Sequence, residues 1–498
     1  MNEMKELLFT LTKEFYIRQV LVIVCLFLGG LLFLKFCMRK SDAVWQYLLA
    51  FPMGLSLWGL VGFLLLVTGI PYRLPFVLAV FFCVFLLFFF SEKREKDKLF
   101  SVKDIFAILF VGMLALIACS GLLSVSISND SVYYYSVYPQ MIVKYGAYRK
   151  SFDVFLTDVG QTTAIINCLP YFFGFQETFG IQHFMNFNFA GIFFLAVYET
   201  AESFLPKKQS VAAGIAAVVF LFATTPFLIT VKWVLANVYF MEFLFIIFYL
   251  GEKCGKNHRE WERFRWVFCF FMAMISMMRM EGGMMACMLI LCLSTLAYTN
   301  REMLCFCVLP VSVMQIGYYG VLYLRLKVDP LYSFLDIKKA LVMLFLLVAL
   351  WLYFLFIREK RFQKLLKNPQ AAILFALLLG NALLLAVNAQ RYIENLVCFG
   401  KNIMLQNGWG YFGFIVIVLI CLLPVKGEKL RYPDFFCIAY ILLTIAVCWA
   451  RSGTLRVGIG DSGNRVMMQI VPFVVYAVAV RVIHVWKEEL CDSYDMSR

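Results

Sequence analysis

The sequence predicts an all-α, polytopic integral membrane protein with about 13 to 15 transmembrane helices and one long external loop. Three observations support this fold class. Of the 498 residues, 63% are hydrophobic and only 15% are charged, whereas soluble proteins are about 45–50% apolar and about 25% charged. The mean hydropathy is +0.82. Finally, apolar runs of helix-spanning length alternate with short basic segments along the whole chain.

About fifteen apolar runs approach the roughly 20 residues that an α-helix needs to cross the hydrocarbon core. The first, from Ile17 to Met38, has full spanning length and no small-residue cleavage site, so we expect a transmembrane helix and not a removed signal. Glycines at 282 and 283 divide one long apolar stretch into two helices. The predicted spans are 17–38, 45–70, 73–90, 104–126, 184–204, 209–230, 233–250, 264–280, 282–298, 303–324, 338–357, 370–388, 410–424, 434–450 and 466–486.

Basic residues predict the orientation, because cytoplasmic loops collect Lys and Arg. If the N-terminus lies outside, the densest basic segments, at 93–103, 253–265 and 358–367, all face the cytoplasm. The formal net charge of +14 is then a topological signal, and we expect no nucleic-acid partner. We predict a three-helix N-terminal segment at 1–103, a second membrane region at 104–486 and a cytoplasmic tail at 487–498.

One external segment, about 127–183, is too long and too polar to be a simple connector. Long loops in compact proteins are often functional. Within it, Thr162 to Phe173 has apolar residues at helical spacing, which favours a helix along the membrane surface. The remaining external segments contribute isolated ionisable residues near helix ends, where such groups are costly and usually functional. These residues include Lys232, Arg279, Glu281, Arg391, Asp461 and Arg465.

Asp130 follows the fourth predicted span directly and begins an aromatic segment with Tyr133 and Tyr134. A carboxylate at the membrane boundary can act as a general base on an acceptor hydroxyl, or can bind a divalent cation, Mg²⁺ or Mn²⁺, that neutralises a phosphate. The alternative is that Asn129 and Asp130 only cap a helix. The residues themselves leave both interpretations open.

Three segments together resemble the GT-C superfamily of polyprenyl-phosphate-sugar-dependent membrane glycosyltransferases, such as the protein mannosyltransferases and the bacterial aminoarabinose transferases. The first is Asp130 with its aromatic run, Pro139 and the stretch 142–148; the second is Arg279-Met280-Glu281-Gly282; the third is 460–465, leading into 469–472. The chain departs from the family pattern at two positions. It has Tyr134 and Tyr135 where a Tyr-His pair is usual, and Asn237 near the place of a second acidic residue.

The resemblance implies transfer of a sugar, with inversion, from a polyprenyl-phosphate carrier to an extracytoplasmic glycan, lipid or protein acceptor, as in polysaccharide biosynthesis for the cell envelope. The enzyme would lie in the cytoplasmic membrane, in contact with membrane lipid, and its active site would face outside. The resemblance assigns the catalytic or metal-binding role to Asp130.

The other candidate residues divide by chemistry. Arginine and lysine suit the donor phosphate, carboxylates suit an acceptor or second-carboxylate role, and tyrosines can stack on sugar rings. The phosphate-binding candidates are Arg465, Arg279, Lys232 and Arg391; the carboxylate candidates are Asp153, Asp158, Glu281 and Asp461; the stacking candidates are Tyr133 and Tyr134.

Two other functions remain open from the sequence. A repeat-unit polysaccharide polymerase would rely on external arginines such as Arg391 and Arg451 more than on Asp130. A transporter or lipid flippase would be expected to show two similar halves with interrupted helices near the bilayer midplane, and the sequence shows no internal repeat.

Overall fold

The structure is a computed structural model of the chain. It describes residues 2–38, 43–91, 101–120, 129–174, 179–224, 227–228, 236–296, 300–328, 335–356, 368–404, 409–423, 431–450, 465–466 and 468–495. These residues form helices and connecting turns, and no strand occurs among them. The all-α class predicted from the sequence is therefore confirmed for the part of the chain that the structure describes.

The first half of the chain contains long helices on either side of a group of short ones. The elements are α1 (Asn2–Cys37), α2 (Ala43–Thr68), α3 (Leu74–Ser91), α4 (Val102–Cys119), α5 (Asn129–Val132), α6 (Tyr138–Tyr145), α7 (Asp153–Asp158), α8 (Gln161–Ile166), α9 (Leu169–Phe172), α10 (Phe179–Glu202) and α11 (Lys207–Ala223). A π-helical turn, Tyr133–Val137, joins α5 to α6 without a break.

The second half continues the same pattern of apolar helices. Its elements are α12 (Ala236–Lys256), α13 (His258–Met278), α14 (Gly282–Leu293), α15 (Asn300–Met303), α16 (Leu309–Tyr319), α17 (Ile337–Phe356), α18 (Pro369–Val387), α19 (Ala389–Met404), α20 (Phe412–Leu422), α21 (Tyr432–Ala450) and α22 (Val471–Asp495). π-helical turns at Leu304–Val308 and Gly320–Arg325 extend α16 at both ends.

Each apolar run predicted from the sequence coincides with a helix, although the boundaries shift by several residues. Eight helical segments in the described residues are long and apolar enough to cross a membrane: Ile17–Cys37, Val44–Thr68, Val102–Cys119, Gly180–Glu202, Arg301–Arg325, Ile337–Phe356, Pro369–Val387 and Tyr432–Ala450. Three shorter apolar segments are Leu74–Cys83, Gly282–Leu293 and Phe412–Leu422. These findings indicate a multi-pass membrane protein; the larger span count stays a prediction.

The chain divides into two compact units that alternate along the sequence. The first comprises Met1–Asn188, Lys232–Ile290 and Leu296–Arg358; the second comprises Phe189–Val231, Leu291–Thr295 and Glu359–Arg498. Residues on both sides of the predicted boundary at 103 belong to the first unit, where α1 packs against α2 and α4. The last helix continues to Asp495, well into the segment predicted as a tail.

In the first unit, polar contacts show the direction of α4 relative to α1. Near the C-terminal end of α1, Lys35 Nζ lies 2.6 Å from Asp104 Oδ2 at the start of α4, and Tyr47 Oη donates to the same carboxylate. In the middle of α1, Gln19 Oε1 accepts from the Gly180 N–H at 3.1 Å and from the Cys119 thiol at the end of α4. Helices α1 and α4 are therefore antiparallel.

Close packing of α1 on α2 depends on two glycines. A Cβ on Gly30 would lie 1.8 Å from the Ala50 carbonyl oxygen, and one on Gly54 would lie 2.1 Å from that of Leu26. Small residues allow helix backbones to approach in this way in membrane proteins. The crossing leaves no room for any other side chain at these positions.

The second unit is held together by α18, α19, α20, α21 and α22, with α11 against α22. Asn381 Nδ2 in α18 donates to the Leu442 carbonyl in α21 at 3.1 Å. The Arg481 guanidinium in α22 binds Asp434 at the start of α21, with a shortest distance of 2.8 Å. Outward-facing leucines and phenylalanines cover α17 in the first unit and α18 and α20 in the second, as expected for helices that face lipid.

The described part of the segment predicted as the long external loop is a layer of short helices, α5 to α9, followed by the start of α10. The helix expected at 162–173 is present as α8 and α9, but Thr162 to Ile166 are all buried and α8 packs against α2 and α13. The prediction of helical structure here is confirmed, but the prediction that the helix lies along the membrane surface is wrong, because α8 is buried in protein. All residues of α8 are buried in protein. The hydroxyls of Thr162 and Thr163 can be buried there because they donate to carbonyls of α13.

Candidate functional site

Asp130 lies in the first turn of a continuous helix made of α5, the π-helical turn and α6. The Tyr138 N–H bonds to the Tyr133 carbonyl, five residues back, which closes the π turn. Single π turns inside helices occur frequently at functional sites. Here the extra residue shifts the angular positions of the tyrosines relative to Asp130, which is half-buried.

Phe155 in α7 organises the aromatic residues that follow Asp130. Its ring stacks on Tyr138 with centroids 4.9 Å apart, lies 4.8 Å from Tyr133 and meets Tyr134 edge-on at 6.1 Å. Asp158 is three residues further along α7, and residues at that spacing share a helix face. The same face of α7 therefore presents Phe155 and Asp158 to the tyrosines.

The charges of Asp130 and Asp158 both influence the pKa of the Tyr134 hydroxyl. Partial burial raises the pKa of Tyr134 above its ordinary value, and the negative charges of Asp158 and Asp130 raise it further. The two carboxylates therefore influence the same phenol. Tyr134 remains a neutral hydrogen-bond donor beside two acidic groups.

Short polar contacts attach this layer to the C-terminal end of α13. The Thr163 hydroxyl donates to the Met278 carbonyl at 2.9 Å, and the Thr162 hydroxyl donates to the Met274 carbonyl at 3.1 Å. Gly160 permits the approach, because a Cβ there would lie 1.8 Å from the Met278 carbonyl oxygen and 2.4 Å from the Arg279 nitrogen. Gly160 thus places the turn after Asp158 directly against Arg279.

Arg279 and Glu281 occupy the turn between α13 and α14. Arg279 Nε lies 2.5 Å from Glu281 Oε1, and both side chains are largely buried. A charge-assisted contact of this kind orients the guanidinium. The sequence prediction that Arg279 and Asp130 belong to one region is consistent with this packing, since the layer that carries Asp130 also carries Gly160.

The sequence-predicted residues fall into four groups, the last of which consists of two arginines in the second unit. Asp130, Tyr133, Tyr134, Asp158, Arg279 and Glu281 share the region described above. Asp153 is exposed at the start of α7, five residues before Asp158, and its carboxylate accepts from the Val154 N–H at 2.8 Å. Lys232 and Asp461 lie outside the described residues.

Two predicted phosphate-binding arginines belong to the second unit. The Arg391 guanidinium lies over the Trp449 ring, 5.4 Å from its centroid. Arg465 is half-buried in a short helical turn. Their convergence on Asp130 stays a prediction.

A divalent cation at this region would rely on carboxylates. In the described part of the chain, no group of three or more His, Cys, Asp or Glu side chains is arranged to hold a metal ion. Asp130 and Asp158 are the two carboxylates that influence Tyr134, and Mg²⁺ is often held by one or two carboxylates together with substrate phosphate oxygens. The pair therefore suits a cation only when the substrate completes the ligand set.

Several positioning residues escaped the sequence prediction. The Tyr138 hydroxyl donates to Gln161 Oε1 at 2.7 Å, and Gln161 Nε2 donates to the Val159 carbonyl at 2.7 Å. The Tyr318 hydroxyl from α16 binds the Leu156 carbonyl. The sequence gives no indication of these three contacts. It does mark Gly160, because a glycine directly before a polar run often permits a close backbone approach.

Comparison with known proteins identifies no relative. No family model matches the chain, and neither a curated protein nor a solved structure is significantly similar to it.

Proposed function

We propose that this chain is an integral membrane glycosyltransferase that transfers a sugar from a polyprenyl-phosphate carrier to an acceptor hydroxyl outside the cytoplasm. The observation that carries the proposal is the docking of the helical layer that contains Asp130, Tyr134 and Asp158 on the turn that holds Arg279, where a Cβ on Gly160 would lie 2.4 Å from the Arg279 nitrogen. Together with the GT-C-like segments, this packing supports a single region with candidate residues for a base, a second acid and a cation.

Asp130 is the proposed general base. Its carboxylate takes the proton of the acceptor hydroxyl while that oxygen attacks the anomeric carbon of the donor. The bond from the anomeric carbon to the phosphate oxygen breaks, the anomeric configuration inverts, and the polyprenyl phosphate leaves with an added negative charge. Tyr134, which stays protonated beside the two acids, can donate a hydrogen bond to a sugar hydroxyl.

The leaving phosphate needs positive charge, and Arg279 is the proposed phosphate ligand of the first unit. Its guanidinium is held by Glu281 and keeps its charge when it is largely buried. Arg465, Arg391 and Lys232 are further candidates from the sequence. If a divalent cation takes part, Asp130 and Asp158 would hold it, and it would supply charge neutralisation at the phosphate.

The primary experiment measures transfer by the purified full chain from a radiolabelled pool of polyprenyl-phosphate sugars to cell-envelope acceptors. The proposal expects label to pass from lipid to acceptor in the wild type, and expects the variant Arg279→Gln to transfer less. Lys103→Gln, which removes an exposed charge at the start of α4, is the charge-matched control.

Other outcomes identify the rival functions. Joining of lipid-linked repeat units without use of single-sugar donors would indicate a polymerase. Movement of lipid or solute across vesicles, with no glycosyl transfer, would indicate a transporter. Labelling of a cysteine introduced at position 130 tests the predicted side: reaction from the cytoplasmic side only would contradict an external active site.

A further inference from the structure

A long apolar groove runs down the first unit between α1 and α3, with α2 as its floor. Its volume is about 610 Å³, within the range of about 300–1,000 Å³ that is typical of ligand sites. Phe173, just after α9, and Trp58 of α2 also line the groove. Among the described residues that line it, Arg18 is the one charged side chain.

The groove follows a single stripe of α1. Arg18, Val22, Cys25 and Gly29 line it, at the spacing of residues on one helix face. At about 1.5 Å per residue, the stripe from Arg18 to Gly29 is roughly 16 Å long. That is about half of the roughly 30 Å hydrocarbon core, so the groove is about one leaflet deep.

Gly29 widens the groove without contributing to helix packing. A Cβ on Gly29 would meet nothing within 4 Å, whereas the neighbouring Gly30 is pressed against the Ala50 carbonyl. Gly29 therefore faces open space inside a helix, where glycine costs about 0.5–1 kcal/mol relative to alanine. The helix packing of α1 gives no reason for a glycine at this position.

Arg18 gives the groove a charged end. It is exposed and lies at the N-terminal end of the α1 stripe, where the groove also meets Phe173. A guanidinium at the end of an apolar channel fits a phosphate attached to a hydrocarbon chain, because arginine binds phosphate oxygens through paired N–H donors.

We infer that this groove binds one acyl chain of a membrane phospholipid, with the lipid phosphate at Arg18. The single-leaflet depth favours a phospholipid, since a polyprenyl chain is longer than one leaflet is deep. This inference does not depend on the proposed glycosyl transfer, because the groove lining contains none of the carboxylates assigned to that reaction.

The test uses the full chain in detergent with phosphatidylglycerol that carries a photoreactive group in its acyl chain. After illumination, peptide mapping should place the label on α1 and α3, at Leu21 to Gly29 and at Leu74 to Phe81. An uncharged diacylglycerol with the same photoreactive chain is the headgroup control, and a polyprenyl phosphate is the competing lipid.

Two groove-filling variants and one charge variant complete the design. Gly29→Leu and Cys25→Phe should each lower labelling of α1 and α3 by about tenfold or more, equivalent to about 1.4 kcal/mol. Gly112→Leu in α4, where a Cβ also meets nothing within 4 Å, should label like the wild type. Arg18→Gln should lower labelling by phosphatidylglycerol but not by the diacylglycerol.

Unchanged labelling in both filling variants, with thermal stability like that of the wild type, would overturn the inference. Equal labelling by the charged and uncharged lipids in the wild type would also overturn it. Displacement of the label by polyprenyl phosphate at a lower concentration than by unlabelled phosphatidylglycerol would assign the groove to a polyprenyl lipid, and so would contradict the phospholipid assignment.

Discussion

Replacing Gly160 by alanine should separate the layer that carries Asp130 and Asp158 from the helix end that carries Arg279. The new Cβ would lie 1.8 Å from the Met278 carbonyl oxygen, whereas ordinary van der Waals contact begins at 3.4 Å. Because the obstacle is backbone, relief requires a shift of more than an ångström between α8 and α13. No side-chain rotation can provide it.

The magnitude follows from what the shift disrupts. The hydroxyls of Thr162 and Thr163 bind carbonyls of α13 in a buried contact, and each such hydrogen bond contributes about 0.5–1.5 kcal/mol. Loss of both predicts a fall of about 1–3 kcal/mol in the free energy of unfolding. A displacement of about 1 Å among reacting groups can lower a rate by about 10²-fold, and we expect a loss of that size in glycosyl transfer.

The assay combines thermal unfolding in detergent with the transfer measurement, on Gly160→Ala and on Gly29→Ala as the matched control. A Cβ on Gly29 meets nothing, so that control should keep its transfer rate and unfold at the same temperature or slightly above. Thr163→Val, which removes one of the two hydrogen bonds, should give an intermediate loss. Wild-type stability and transfer in Gly160→Ala would refute the proposed docking of the layer on α13.

Three further predictions concern stability and protonation. Asp104→Asn removes the charge of a buried carboxylate that pairs with Lys35 and should cost about 3–5 kcal/mol in thermal unfolding. Asp336→Asn, at a partly exposed pair, should cost less than about 1 kcal/mol; equal losses would contradict the burial argument. Gly30→Ala should cost about 1–3 kcal/mol by overpacking, measured in the same way. Tyr134 should stay protonated above the usual tyrosine pKa of about 10, so its contribution to stability is complete below that pH and is lost as the pH rises through the folded-state pKa. Tyrosine NMR should show that Asp158→Asn lowers the pKa of Tyr134 toward its ordinary value.

The helices were predictable because burial in lipid demands long apolar runs, and such runs are visible in a single sequence. The positions at which the helices end were less predictable. The fourth run was expected to reach residue 126, whereas α4 ends at Cys119; residues 121–126 lie outside the described residues. Hydropathy alone does not mark where a helix stops. The glycines at 282 and 283 were predicted to break a helix, and α14 does begin at Gly282.

The interior of the long loop was not predictable from periodicity. The pattern at 162–173 is that of an amphipathic helix, but Thr162 and Thr163 are buried because their hydroxyls bind carbonyls of a helix more than a hundred positions away in the chain. Asp158 was one of two equal candidates in the sequence. Its distinction from Asp153 arises from α7, because Phe155 packs on the tyrosines and Asp158, three residues later, shares its helix face.

The most direct test of the account is single-turnover transfer by Asp130→Asn, compared with the wild type and with Asp336→Asn as a control of the same chemistry. A general base contributes about 10²–10⁴-fold, so we predict a rate lowered by that factor in Asp130→Asn, with unchanged thermal unfolding and unchanged transfer by Asp336→Asn. Transfer by Asp130→Asn at the wild-type rate would contradict the catalytic role of Asp130.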